Sequence, residues 1–295
     1  MERELWPVLY RMVREVGRDF SQKYVQIQPW VLVACSLWAI LHDRTAEWAC
    51  DEANWGTTSL RPWKLPSPST VSRRAYGVAV GMLWRALEQR LRDCQEPALI
   101  AFLDGKPLPI GGYSKDKDAG YGRGAGTMDK GYKLHTVWAN RAMPEAWEVT
   151  SLKVGETTVA GQLFGQLQSG GYVLADGNYD ASVLFDRAAS AGYQLVVPIE
   201  HPNAGKGHHY QSPHRQRCIE MMKKDKGISD FGRTLYKMRP AIERSYGNAG
   251  SFAGGMGPLP NWARRLKRVR FWVWGKLLIN AIRILRNKGL TSSLQ

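Results

Sequence analysis

Acidic residues are scarce in this chain. Asp and Glu number 26 against 41 Lys and Arg in 295 residues, a formal charge of +15 with a pI near 9.8. That imbalance disfavours a small neutral substrate and favours a polyanionic partner, most often nucleic acid. Cysteine is also sparse: Cys35, Cys50, Cys94 and Cys218 lie far apart, with no Cys-x-x-Cys pair. Such spacing argues against a zinc ribbon or a disulfide framework and fits a reducing compartment. The opening Met-Glu-Arg-Glu-Leu-Trp-Pro has acids and no apolar core, so no secretion signal is evident. The longest apolar stretch, Phe271 to Leu285, is interrupted by Lys276, Asn280 and Arg283. It falls short of the ~20 residues a membrane span needs and reads as a core helix. Hydrophobic residues make up 44% of the chain, enough for a globular protein of one large or two modest domains.

The pattern changes near Glu96-Pro97. Residues 1–97 read as helical and residues 98–295 as a second domain. Trp30 to His42 is an apolar run, and Arg44 to Trp55 reads as amphipathic. Pro66 and Pro68 then stop what precedes them, and Ser69 reads as the N-cap of a helix running through Val80, Leu83, Leu87 and Leu91. Two helices and a short turn, the second opening with Arg73 and Arg74, resemble a helix-turn-helix, in which the first turn of the second helix meets DNA. An ordinary solvated helix start has the same composition.

Beyond Pro97 short apolar runs alternate with helical segments. Strands are expected at Leu99–Asp104, Tyr132–Trp138, Trp147–Val154, Tyr172–Asp176 and Gln194–Pro198, with helices at about Glu156–Gln168 and Ala181–Ala191. This is the order of an α/β domain with a mixed five-stranded sheet. Three acids stand at the edges of apolar segments: Asp104 in Leu-Asp-Gly-Lys, Asp176 in Ala-Asp-Gly-Asn-Tyr-Asp and Glu243 in Ala-Ile-Glu-Arg. A carboxylate at the end of a buried strand costs desolvation free energy unless something compensates for it. Acids converging from different elements can share that cost by holding a hard cation such as Mg2+. The residues alone leave a blander reading open, with Asp104 and Asp176 as turn residues before glycine and Glu243 as a solvated helix acid.

The set as a whole resembles the DDE transposases of bacterial insertion sequences. The resemblance covers about residues 98 to 288 and rests on four segments: Asp104-Gly-Lys, Gly131-Tyr-Lys-Leu-His135, Ala175-Asp-Gly-Asn-Tyr-Asp180 and Tyr236-x-x-Arg239-x-x-x-Glu243. It implies an RNase H-like catalytic domain. It also implies a triad of Asp104, Asp176 and Glu243 holding two Mg2+ ions, which Mn2+ can replace, with Tyr236 and Arg239 beside the nucleic acid. The lysine or arginine expected seven residues after the glutamate is absent, because Gly250 stands there. The implied activity is metal-assisted cleavage at the ends of an insertion sequence and joining of the 3′-hydroxyls to target DNA. Partners would be double-stranded DNA and further copies of the chain, a homodimer or higher, at a bacterial cytoplasmic, nucleoid-associated location. A metal-dependent nuclease without strand transfer, or a non-catalytic DNA-binding descendant, are the other readings.

Arg264, Arg265, Lys267, Arg268 and Arg270 form a basic stripe before the C-terminal apolar run. Beside a phosphodiester site it reads as a phosphate contact as readily as a solvated face. Gly120 to Gly126 lacks the Gly-Lys-Ser/Thr ending of a P-loop and reads as a hairpin. Asp116 and Asp118 read as loop acids, and His135 as structural. His201, His208, His209, His214 and Cys218 match no standard zinc spacing. The interleaved Lys206, Arg215, Arg217, Lys223, Lys224 and Lys226 read as a DNA-contacting loop.

Overall fold

The structure is a computed structural model that describes residues 2–124, 126–199, 210–223 and 231–291. It divides into two compact units, residues 1–96 with 249–295, and residues 97–248. The C-terminal residues, expected to belong to the second domain, thus cluster with the N-terminal ones. The reason is packing: α1 (Glu2–Val16), α2 (Pro29–Leu41) and α4 (Val78–Asp93) each lie against α10 (Leu266–Asn287).

In this helical unit α2 is apolar on every side. Pro29 starts it, and its one hydroxyl, Ser36, donates to the Leu32 carbonyl at 2.7 Å. Indole rings fill the space around it. Trp38 stacks on Trp55 with centroids 5.0 Å apart, and Trp6 meets Trp38 edge-on at 4.8 Å. The segment Arg44–Trp55, expected as one amphipathic element, forms two separate 3-10 turns, Trp48–Cys50 and Glu52–Trp55. Lys276 of α10 is fully buried. Its Nζ lies 2.9 Å from Asp43 Oδ1 and 3.0 Å from the Gly254 carbonyl, and the Trp272 indole also donates to Asp43.

The helix expected from Ser69 to Leu91 is two helices. Ser67, not Ser69, caps α3 (Pro68–Arg74), its Oγ accepting from the Thr70 amide at 3.3 Å. Gly77 then interrupts the helix and serves as the N-cap of α4.

The second unit is built on a mixed sheet of six strands, one more than expected. They are β1 (Ile100–Pro109), β2 (Gly120–Arg123), β3 (Met128–Ala139), β4 (Ala146–Ser151), β5 (Gly171–Leu174) and β6 (Tyr193–Val196). The extra strand is β2, the glycine hairpin, which pairs antiparallel with the start of β3. Its glycines are required by crowding: a Cβ at Gly122 would come within 2.2 Å of the Leu152 carbonyl oxygen. The order is β2-β3-β1-β5-β6, with β4 on the same edge of β3 as β2. β1, β5 and β6 run parallel, and β3 runs antiparallel to β1. α5 (Glu156–Phe164) and α6 (Ser182–Ser190) connect the strands, as the RNase H-like layout requires. α7 (Pro213–Met222), α8 (Phe231–Tyr236) and α9 (Ala241–Gly250) follow.

Candidate active site

The register of the sheet explains where the first two acids stand. Phe102 of β1 pairs with Leu174 of β5 in parallel. Asp104 and Asp176 each lie two residues further on, at equivalent positions beyond the last pair of adjacent strands. Side chains two residues apart on a strand share a face. Asp104 is also opposite Thr136 of β3. Asp176 caps a 3-10 turn, accepting from the Asn178 amide at 2.9 Å. Burial pushes the Asp104 carboxyl above its ordinary range, while the Gly105 amide, 2.8 Å from Oδ1, and Arg239 oppose that rise.

Glu243 comes from the first turn of α9, where the helix dipole favours an anion. Arg239, four residues earlier, brings the acids together. Its guanidinium lies 3.8 Å from Asp104 Oδ1, 3.9 Å from Asp176 Oδ2 and 3.1 Å from Glu243 Oε1. Three carboxylates from β1, the turn after β5 and α9 therefore converge on one cation. Tyr236, at the end of α8, lies in the field of Arg239 and Asp176, and burial raises its hydroxyl pKa.

α9 is fastened over the strands by Tyr246, one turn beyond Glu243. The buried Tyr246 hydroxyl donates to the Asp104 carbonyl at 2.9 Å and lies 2.8 Å from Thr136 Oγ1. Since it donates to a carbonyl, the Thr136 hydroxyl must donate to it. Over the same ring sits Lys106, with Nζ 5.6 Å from the Tyr246 centroid. Lys106 shares the face of β1 with Asp104, and burial alone lowers its pKa. On the other face Glu156 pairs with Lys133 at 2.5 Å. Gly105 is required there, because a Cβ would come within 2.9 Å of Lys133 Cδ.

Sequence reasoning missed Tyr246, Lys106 and Glu156 as neighbours of the acids. The signal for Lys106 was its i+2 spacing from Asp104, and for Tyr246 its i+3 spacing from Glu243. Tyr179, in the motif that carries Asp176, is fully buried, and its hydroxyl has no hydrogen-bond partner among the described residues.

The basic residues expected to touch DNA divide sharply in setting. Arg73 is exposed at the end of α3. Arg74 turns back, donating to the Ile27 carbonyl at 2.8 Å and lying within reach of Gln22. Of the stripe, Lys267 sits 4.5 Å over the Tyr76 ring, and Arg264 bonds the carbonyls of Pro260 and Ala263. Arg265, Lys267, Arg268 and Arg270 are exposed. Arg73 and the stripe lie within one unit, the helical one.

One expectation for the basic loop needs revision. Arg215 is buried, not presented to DNA, and forms a two-point pair with Asp180 at 2.6 and 2.8 Å. Asp116 lies in the loop between β1 and β2, as expected, and accepts from the Tyr132 hydroxyl at 2.6 Å. His135 donates to or accepts from Thr150 at 2.9 Å, and burial lowers its pKa to about 4, so it stays neutral. His201, Lys206, His208, His209, Lys224 and Lys226 lie outside the described residues. Among the described residues, no group of three His, Cys, Asp or Glu lies close enough to form a ready-made metal cage. No described helix is long and apolar enough to cross a membrane.

Paired aspartates on neighbouring strands of an RNase H-like sheet, with a glutamate from a following helix, define the layout of a nucleic-acid strand-processing domain. The chain belongs to the DDE transposases: the family model described as the transposase DDE domain matches residues 95–278. Membership implies transposition-related chemistry on DNA, and the family generally uses divalent metal ions. No curated protein and no solved structure matches the chain.

Proposed function

We propose that this protein is the transposase of a bacterial insertion sequence, acting as a homodimer or larger assembly on the two ends of its element. It cuts at those ends and joins the freed 3′-hydroxyls to target DNA, with Asp104, Asp176 and Glu243 as the catalytic acids. The observation that carries this reading is the convergence of these three carboxylates on the Arg239 guanidinium.

That guanidinium stands in for a cation, so the donor set fits a metal. All the acid donors are hard oxygens, the type Mg2+ and Mn2+ select. When bound, a pair of such ions supplies charge neutralisation and an activated oxygen nucleophile for in-line phosphodiester displacement. Everything else falls to the chain itself. The sheet register holds Asp104 and Asp176 side by side, and Tyr246 holds Glu243 over them. Arg239, released from the acids, can bind a phosphate oxygen through two N–H groups, with Tyr236 beside it. No side-chain nucleophile and no nucleotide cofactor are needed.

Recognition is assigned to the helical unit. Arg73, with Arg74 behind it, would help read the element's ends, and the stripe from Arg264 to Arg270 would contact phosphates without sequence preference. The test is a cleavage and strand-transfer assay on DNA carrying the sequences that flank the gene. Mg2+ or Mn2+ should support both steps, and EDTA should stop them. Cleavage without joining would convert the reading to a nuclease. Full activity in EDTA would exclude the mechanism.

A further inference from the structure

Lys106 is a cation without a counter-ion at the edge of a site built from acids. It is half-buried on β1, two residues beyond Asp104 and on the same face of the sheet. Its ammonium group lies over the Tyr246 ring, 5.6 Å from the centroid, and no carboxylate pairs with it among the described residues. Several other withdrawn cations of the sheet unit are matched by carboxylates. Lys133 has Glu156, Arg215 has Asp180, and Arg239 has the three catalytic acids. A strongly hydrated ammonium is removed from part of its water at a free-energy cost. An aromatic face offsets some of that cost but neutralises none of the charge.

The platform beneath Lys106 is unusually fixed. The Tyr246 hydroxyl is tied to the Asp104 carbonyl and to Thr136, so the ring cannot turn away. The same tyrosine that positions Glu243 therefore also positions Lys106.

We propose that Lys106 binds a backbone phosphate of the DNA strand undergoing cleavage, completing from β1 the cationic side of the acid site. The inference rests on the DNA-cleaving function proposed above. A phosphate is the fitting partner because it is an anion small enough to reach an ammonium at a strand edge. It also arrives only with substrate, which leaves Lys106 unpaired in the free protein.

The test uses the full-length chain with Lys106→Met, which keeps length and ring contact but removes charge, and Lys106→Arg, which keeps charge. Lys153→Met, an exposed lysine on the same unit, is the control. Binding to an element-end duplex is titrated at several salt concentrations, alongside strand cleavage and thermal unfolding. Lys106→Met should flatten the slope of log affinity against log salt by about 0.9, the value of one lost phosphate contact. It should slow cleavage on the order of 10²-fold, as expected for losing one charge-stabilising donor. Lys106→Arg should restore most of both, and Lys153→Met should alter cleavage little. A Lys106→Met protein that folds, keeps the wild-type slope and cleaves at the wild-type rate overturns the proposal while the triad reading stands. So does a slope change matched by Lys153→Met without a cleavage defect. If Lys106→Met fails to fold, Lys106→Gln takes its place under the same criteria. Wild-type protein that cleaves no DNA in Mg2+ or Mn2+ would overturn the function, and this proposal with it.

Discussion

Lys276 of the helical unit and Lys106 of the sheet unit are both withdrawn from water, and they are handled in opposite ways. Lys276 is fully buried and closed off by Asp43, the Gly254 carbonyl and the Trp272 ring. Among the described residues Lys106 has only the Tyr246 ring. The same contrast holds for the acids. Asp43 is satisfied by Lys276 and the Trp272 indole, whereas Asp104, Asp176 and Glu243 share a single guanidinium. Charge that is balanced inside the fold serves stability. Charge left short of partners marks where something else must bind. Aromatic packing divides similarly: of the twelve tryptophans only Trp138 and Trp147 lie in the sheet unit.

The largest effects should come from the under-compensated acids. Asp104→Asn, Asp176→Asn and Glu243→Gln should each lower strand cleavage on the order of 10³-fold or more while leaving DNA affinity within a few-fold. Gel-based cleavage and binding assays on the same preparations would check this. Wild-type cleavage by any one of them would remove that residue from the site.

Breaking the closed pair should do the reverse. Asp43→Ala strands a buried ammonium and should cost about 3 kcal/mol of stability by chemical denaturation. Cleavage per folded molecule should be unchanged. A comparable loss of activity would mean that the contrast between the units is false.

The pH dependence of stability sharpens the comparison within the sheet unit. His135 is held neutral, with its folded-state pKa lowered from 6.5 to about 4. The unfolded chain takes up the proton first, so the stability it contributes is present above pH ~6.5 and is lost as pH falls toward 4. The loss should be about 3 kcal/mol over that window, and His135→Gln should flatten it. Urea titrations from pH 7 to 4 would reveal the slope.

The smallest effects separate two neighbours. Arg74→Ala should cost about 1 kcal/mol of stability, because its guanidinium bonds the Ile27 carbonyl. Arg73→Ala should leave stability within ~0.5 kcal/mol and instead narrow the preference for element ends over random DNA. If Arg73→Ala weakens both DNAs equally, sequence reading must be sought elsewhere in the helical unit.

These pairs also mark what could be read from the chain. The strands at Leu99, Tyr132, Trp147, Tyr172 and Gln194 were legible because apolar runs bounded by turn residues are local signals. The positions of Asp104 and Asp176 at strand ends follow from the same runs. The break between α3 and α4 was not legible, since apolar spacing runs on through Gly77 and only the backbone reveals the interruption. The inward turn of Arg74 depends on a carbonyl 47 residues away, and no local pattern encodes that. The pairing of Arg215 with Asp180 spans 35 residues and was hidden within a run of basic residues. Long-range partners decide which cations of a basic stretch remain available, and composition alone cannot rank them.

Residues 97–248 interrupt the helical unit in sequence, and its core is completed by α10. This has a consequence for synthesis. At ~5–20 residues per second, a ribosome needs on the order of ten to thirty seconds to pass from Glu96 to the start of α10. During that interval α1, α2 and α4 lack the helix that covers them, while the sheet unit has all of its strands once Val196 is made. The segment made first is therefore the last to be finished. A message cut short between Asn248 and Leu266 would yield a chain that carries Asp104, Asp176 and Glu243 but lacks the helix that completes the core of the helical unit.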